Sequence, residues 1–88
     1  MTNVQPDWCN IPASRYPFLK KLKRTNKRWK NEVIYYDEVN KAYYHKDPLH
    51  GEIEAYDKRG IHIGVLNPDG TPHKTKVAVK GRTIKDIL

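Results

Sequence analysis

Residues 51–66 read GEIEAYDKRGIHIGVL, and the way this stretch folds back on itself decides the architecture. In an extended 51–56, Ile53 and Ala55 share one face, and Glu52, Glu54 and Tyr56 share the other. In 61–66, Ile61, Ile63 and Val65 alternate against His62. A loop of 57–60 would pair Tyr56 with Ile61 and set Glu54 against Ile63, mixing carboxylates with the apolar face. A connection of 57–61 instead pairs Tyr56 with His62 and Glu54 with Gly64. It gathers Ile53, Ala55, Ile63 and Val65 onto one core face. A one-residue slip exchanges the two faces, so burial selects the second register. On it, His62 is a diagonal neighbour of Glu54, and Gly64 leaves open space beside the pair.

Working outward, β-forming runs recur on both sides. Val33–Tyr36 and Ala42–Tyr44 flank a turn at 37–40, and Lys76–Val79 follows Asn67-Pro68-Asp69-Gly70. That tetrapeptide is a turn in which proline presets φ and glycine accepts a positive φ. Upstream, Phe18, Leu19 and Leu22 fall on one helical face, and Pro17 suits a first turn. This spacing predicts a short helix within 17–27, dependent on tertiary packing. Residues 1–12 read as irregular. The expectation is one α+β domain over 1–88: a basic segment with a short helix in 1–27, then a twisted antiparallel sheet of four to six strands in 28–88.

The chain has 88 residues, with 17 basic and 10 acidic side chains and a net charge of +7. The charge is uneven. Residues 1–30 hold eight bases and one acid, 31–72 hold four bases and eight acids, and 73–88 hold five bases and one acid. Basic flanks suit a polyanion, most simply nucleic acid. Candidate phosphate contacts are Lys27, Arg28, Lys46, Lys74, Lys76, Lys80 and Lys85. The acidic middle is odd for a plain binder, because carboxylates repel phosphate; it points to proton transfer or to salt bridges with the flanks. No apolar run is long enough for a membrane span, and residues 1–16 lack the pattern of a signal peptide. Cys9, the single cysteine, excludes an internal disulfide and reads as a small buried apolar group. The scattered histidines lack zinc-ligand spacing, and no cofactor or metal is expected. Trp8, Trp29 and Phe18 read as core residues, and His45 and His73 as exposed ones.

Asp47, His50, Glu52, Glu54 and Tyr56 fall within one short stretch, with His62 across the hairpin. RNA can be cut by its own 2′-hydroxyl once three tasks are met. A base takes the hydroxyl proton, an acid protonates the leaving 5′-oxygen, and a cation steadies charge at phosphorus. Along a straight strand His50 and Glu54 would lie about 13 Å apart, so joint action requires a bend, for which the Pro48–Gly51 corner is placed. The plainer alternative is that Glu52 and Glu54 form the wetted face of a strand.

The stretch Asp47-Pro-Leu-His50-Gly51-Glu52-Ile53-Glu54-Ala55-Tyr56 resembles Asp-x-x-His-Gly-Glu-Leu-Glu-Gly-Tyr of the ribosome-inactivating ribonuclease domain of E-group colicins and cloacin. Gly60-Ile-His62-Ile63-Gly64 is similar to that family's Gly-x-His-Leu-Gly, and Asn67-Pro-Asp69 falls at the next turn. Lys27-Arg28-Trp29 is similar to its Lys-Arg-Trp, and the final Arg82-Thr-Ile84-Lys85-Asp-Ile-Leu88 to its ending. The resemblance covers roughly the last 60 residues. It implies cleavage of small-subunit (16S) ribosomal RNA at the decoding site, leaving a 2′,3′-cyclic phosphate. It implies Asp47, His50, Glu54 and Arg82 as catalytic residues, with Glu52, Tyr56 and His62 in support; Tyr56 could stack on a base. The implied partners are the small ribosomal subunit and a small acidic immunity protein, for a monomeric domain without stable membrane insertion. The domain would belong to a larger toxin, released from or displayed by the producing bacterium, that acts in the target-cell cytoplasm. Lys46 stands where the family has Trp, about six extra residues lie between Trp29 and Asp47, and 1–26 show no match. The alternatives are a non-catalytic RNA- or ribosome-binding module and a ribonuclease toxin acting on messenger or transfer RNA.

Overall fold

The structure is a computed structural model and describes residues 6–88. Its frame is one antiparallel meander of six strands in sequence order. The strands are β1 (Lys23–Trp29), β2 (Glu32–Asp37), β3 (Ala42–Asp47), β4 (Glu52–Tyr56), β5 (His62–Leu66) and β6 (Pro72–Val77). Outside the sheet, the helical elements are three short 3₁₀ turns, Ala13–Arg15, Leu19–Lys21 and Lys85–Ile87. The expected helix in 17–27 does not form. Phe18, Leu19 and Leu22 reach the core from a single 3₁₀ turn, and the basic run after them becomes an edge strand. The sheet thus begins at Lys23 rather than at 28. In β1 only alternate residues from Thr25 onward face inward, a period-2 pattern that the dense lysines and arginines obscure. A type I′ turn joins β1 to β2, with Lys30 at φ 48 and Asn31 at φ 68.

Each face of the sheet has its own cover. On one face Tyr35, Ala42, Tyr44, Ile53 and Ala55 pack beneath Tyr16 and Leu19 of the N-terminal segment. On the other, Ile34 and Tyr56 pack against Ile84 of the C-terminal tail. The tail is fastened by backbone bonds from Ile84 to Gly60 and from His62 to Arg82, at 2.8 and 3.0 Å. Glu52, Glu54 and Tyr56 therefore project toward the tail side.

The β4–β5 register differs from the expected one by a bulge. Tyr56 pairs with His62 as anticipated, but Ala55 pairs with Gly64 and Glu54 with Val65. His62 keeps its expected place beside Tyr56 at 3% exposure, while the extra residue, Ile63, turns outward, to 50%. Ile63 and Val65 thus both leave the expected core face, Val65 for the Glu54 side. No atom lies within 4 Å of a Cβ built on Gly64, so the space beside the hairpin is open.

Candidate active site

The Pro48–Gly51 corner is bent as the chemistry requires. Asp47 Oδ1 accepts the backbone N–H groups of Leu49 and His50, and the Gly51 N–H closes the turn onto the Asp47 carbonyl at 2.8 Å. Gly51 adopts φ +66, and a Cβ there would lie 2.9 Å from Trp8 Cβ and 3.0 Å from the Cys9 nitrogen. Only glycine fits both the turn and this approach. The N-terminal segment is thereby pressed against the loop that carries His50. Lys46 holds it there, its ammonium donating to the carbonyls of Cys9 and Ile11 at 2.9 and 2.7 Å. Lys46 is 7% exposed; expected among the RNA-contacting lysines, it is instead a buried strap. Half-buried Cys9 donates its thiol to the Leu49 carbonyl.

Asp47 Oδ2 accepts from His50 Nδ1 at 2.8 Å. Burial raises the Asp47 carboxyl, but the bonds from the His50 side chain and from the His50 and Leu49 backbone outweigh it and hold the group below its ordinary value. With Nδ1 engaged, exposed His50 keeps Nε2 for another partner.

Glu54 is buried at the floor. Its Oε1 accepts from Arg82 NH1 at 2.8 Å and its Oε2 from His62 Nε2 at 3.1 Å. The backbone N–H of Val79 donates to His62 Nδ1 at 2.9 Å, which fixes the ring proton on Nε2. Glu52 repeats the scheme one pleat along, between His73 Nε2 at 2.9 Å and Lys76 Nζ at 2.6 Å. Donor atoms of Asp47, His50 and Glu52 lie within 4.8 Å of one another. That spacing is within reach of a cation, although Asp47 and Glu52 already accept these side-chain donors.

Asp47, His50, Glu54, Tyr56 and Arg82 line one open cavity of about 410 Å³. Glu52 and His62 stand outside its lining. Tyr56 is 1% exposed, its ring stacked on His45 at 5.4 Å and edge-on to His62 at 5.3 Å, so neither face is free to stack on a base. Its hydroxyl donates to His45 Nε2 at 2.8 Å, while His45 Nδ1 donates to the Lys46 carbonyl. Burial pushes the Tyr56 hydroxyl up to about 12, and it stays protonated. Lys76 pairs with Glu52, Arg28 donates to the Asn31 carbonyl, and exposed Lys74, Lys80 and Lys85 lie outside the cavity.

The sequence reading missed His45, Trp29 and Glu32 as members of this cavity. His45, expected in solvent, is 7% exposed; burial lowers its pKa. The β3–β4 register sets it directly opposite Glu54, and counting two residues back from Asp47 would have placed it on the same face. Outside the cavity, His73 is half-buried rather than exposed. Trp29 lines the cavity as well as packing on Ile34 and Ile84, and Glu32 lies opposite it in the β1–β2 pairing.

A family model described as Cytotoxic matches residues 20–85, from the second 3₁₀ turn to the start of the third. The chain belongs to this Cytotoxic family. It is a cytotoxic domain of the colicin type, and the matched span takes in every residue around the cavity from Trp29 to Arg82. A search of curated proteins finds no match. The N-terminal segment that braces the His50 loop lies largely outside the Cytotoxic match, in keeping with the absence of recognisable motifs there.

Proposed function

We propose that this Cytotoxic domain is an endoribonuclease that cuts small-subunit ribosomal RNA at the decoding site by attack of the RNA's own 2′-hydroxyl. The observation that carries the reading is the convergence of a buried carboxylate, a carboxylate-oriented imidazole and a guanidinium on one open cavity. His50 Nε2 and Glu54 are the proton-transfer groups, each worth about 10²–10⁴-fold when well placed. Asp47 keeps the His50 ring aimed. Arg82 is bound to Glu54 by one nitrogen while its side chain stays 45% exposed, which suits it to meet the phosphate charge that grows in the transition state. The attacking oxygen belongs to the substrate, so the protein supplies no nucleophile. The open mouth and the basic flanks favour a large folded RNA, and the same charge suits a small acidic immunity protein as partner. The active toxin works in the cytoplasm of the target cell, as the cargo of a larger protein from the producing bacterium.

The test is to incubate intact bacterial ribosomes with the protein in EDTA and separate the small-subunit RNA on a gel. One discrete 3′ fragment is the expected result. Broad degradation of naked RNA with ribosomes spared would favour a messenger- or transfer-RNA toxin. Intact RNA despite tight ribosome binding would favour a non-catalytic module and overturn the reading.

A further inference from the structure

The β1–β2 hairpin tip brings an aromatic ring, a carboxylate and an ammonium to the rim of the cavity. Trp29 packs partly on Ile34 and Ile84 and also lines the cavity. Lys30 Nζ lies over the Trp29 ring, 5.9 Å from its centre, so a flat group can reach that ring by displacing an exposed lysine. Glu32 is the cross-strand partner of Trp29 and lines the same cavity. Among the described residues its carboxylate takes part in no ion pair, in contrast to Glu52 and Glu54. Burial raises its pKa, the nearby Lys46 and Arg28 charges only partly offsetting this. Among the described residues it is a half-buried acceptor without a partner, beside an indole and next to the groups proposed to handle a ribose phosphate.

We propose that this hairpin tip is a nucleobase subsite, in which a base next to the scissile phosphate stacks on Trp29 and donates an exocyclic amino group to Glu32. The inference rests on the cavity being the place where RNA is held, as set out under Proposed function. Stacking is tolerant of base identity; the carboxylate is not. Adenine, cytosine and guanine each offer amino hydrogens to an acceptor. Uracil offers one N3–H flanked by two carbonyl oxygens that repel a carboxylate. Lys30, displaced from the ring, is free to meet a backbone phosphate. The site therefore discriminates against uracil.

The probes are 2′-O-methyl oligonucleotides of adenine, cytosine or uracil, which lack the attacking hydroxyl and stay intact. Tryptophan fluorescence is followed as each is titrated into the full chain. Wild type should be quenched by the adenine and cytosine probes, with affinity about tenfold above the uracil probe. Trp29→Phe should abolish the quench, and Glu32→Gln should bring the three affinities to within about twofold of one another. Quenching that persists in Trp29→Phe, or base preference unchanged in Glu32→Gln, overturns the subsite. Glu32 is only half-buried and Gln matches its shape, so its variant keeps the test informative if Trp29→Phe unfolds. Cleaved ribosomes without base-dependent quenching would sink the subsite alone. Uncut ribosomes with such quenching would sink the cleavage reading and leave the subsite standing.

Discussion

Arg82 and Glu54 are 28 residues apart in the chain, yet Arg82 NH1 donates to Glu54 Oε1 at 2.8 Å. The pair exists because the tail returns across the sheet, where Ile84 is buried with Ile34 and Tyr56. The cation of the candidate site is thus placed by hydrophobic burial two residues away.

Replacing Glu54 with Gln separates charge from shape. The amide must turn its NH₂ toward either Arg82 or His62, and the Val79 N–H on Nδ1 holds the His62 proton on Nε2. One donor then faces another. Cutting should fall at least about 100-fold, and stability should drop by about 1–3 kcal/mol. Ribosome cleavage and thermal melting check the two effects. Unchanged cutting would remove Glu54 from the mechanism.

Arg82→Lys keeps the charge but loses the planar fork that can hold a carboxylate and a phosphate together. Cutting should drop by about tenfold or more, with ribosome binding within a few-fold of wild type. Equal losses of binding and cutting would make Arg82 a docking residue.

Stability should depend on pH through His45. The groups facing it are Tyr56, Glu54, Asp47 and His62. Its folded pKa lies below the ordinary 6.5 because burial disfavours the charged ring. Between the two values the unfolded chain binds more protons than the folded one, so stability falls as pH drops below about 6.5. His45→Gln, whose amide can serve Lys46 and Tyr56 in the same way, should flatten the melting-temperature slope between pH 7 and 5. An unchanged slope would assign it to other groups. The depressed carboxyls of Asp37 and Asp47 act lower, their contribution being lost as pH falls below about 4.

Lys46→Met tests the strap. It removes the bonds to the Cys9 and Ile11 carbonyls and leaves both part-buried acceptors without their charged donor. A loss of about 1–3 kcal/mol is expected. At a temperature where the variant is folded, the salt dependence of ribosome binding should match wild type, since this ammonium meets no phosphate. A shallower salt dependence would restore Lys46 to the RNA-contacting set.

The β4–β5 hairpin, the corner before Gly51 and the two faces of β4 were legible because period-2 alternation and turn residues are local signals. Strand β1 was not. Its lysines and arginines mask the alternation, and Phe18, Leu19 and Leu22 satisfy a helical spacing that a 3₁₀ turn also meets. The bulge between Ala55 and Tyr56 escaped as well, since alternation cannot show where a residue is inserted, and it turned Ile63 outward and exchanged the faces of Gly64 and Val65. His45 and Lys46 look like surface residues until both faces of β3 are known to be covered, one by the N-terminal segment and one by the cavity floor. Arg82 and Glu54 carry no local signal of their pairing, which only the return of the tail creates.

The most direct measurement is the chemical identity of the new 3′ end on RNA cut by the protein. Attack by the ribose hydroxyl, with Glu54 and His50 moving protons and Arg82 at the phosphate, predicts a 2′,3′-cyclic phosphate opposite a 5′-hydroxyl. A 3′-hydroxyl opposite a 5′-phosphate would mean that water was the nucleophile, and would contradict the account.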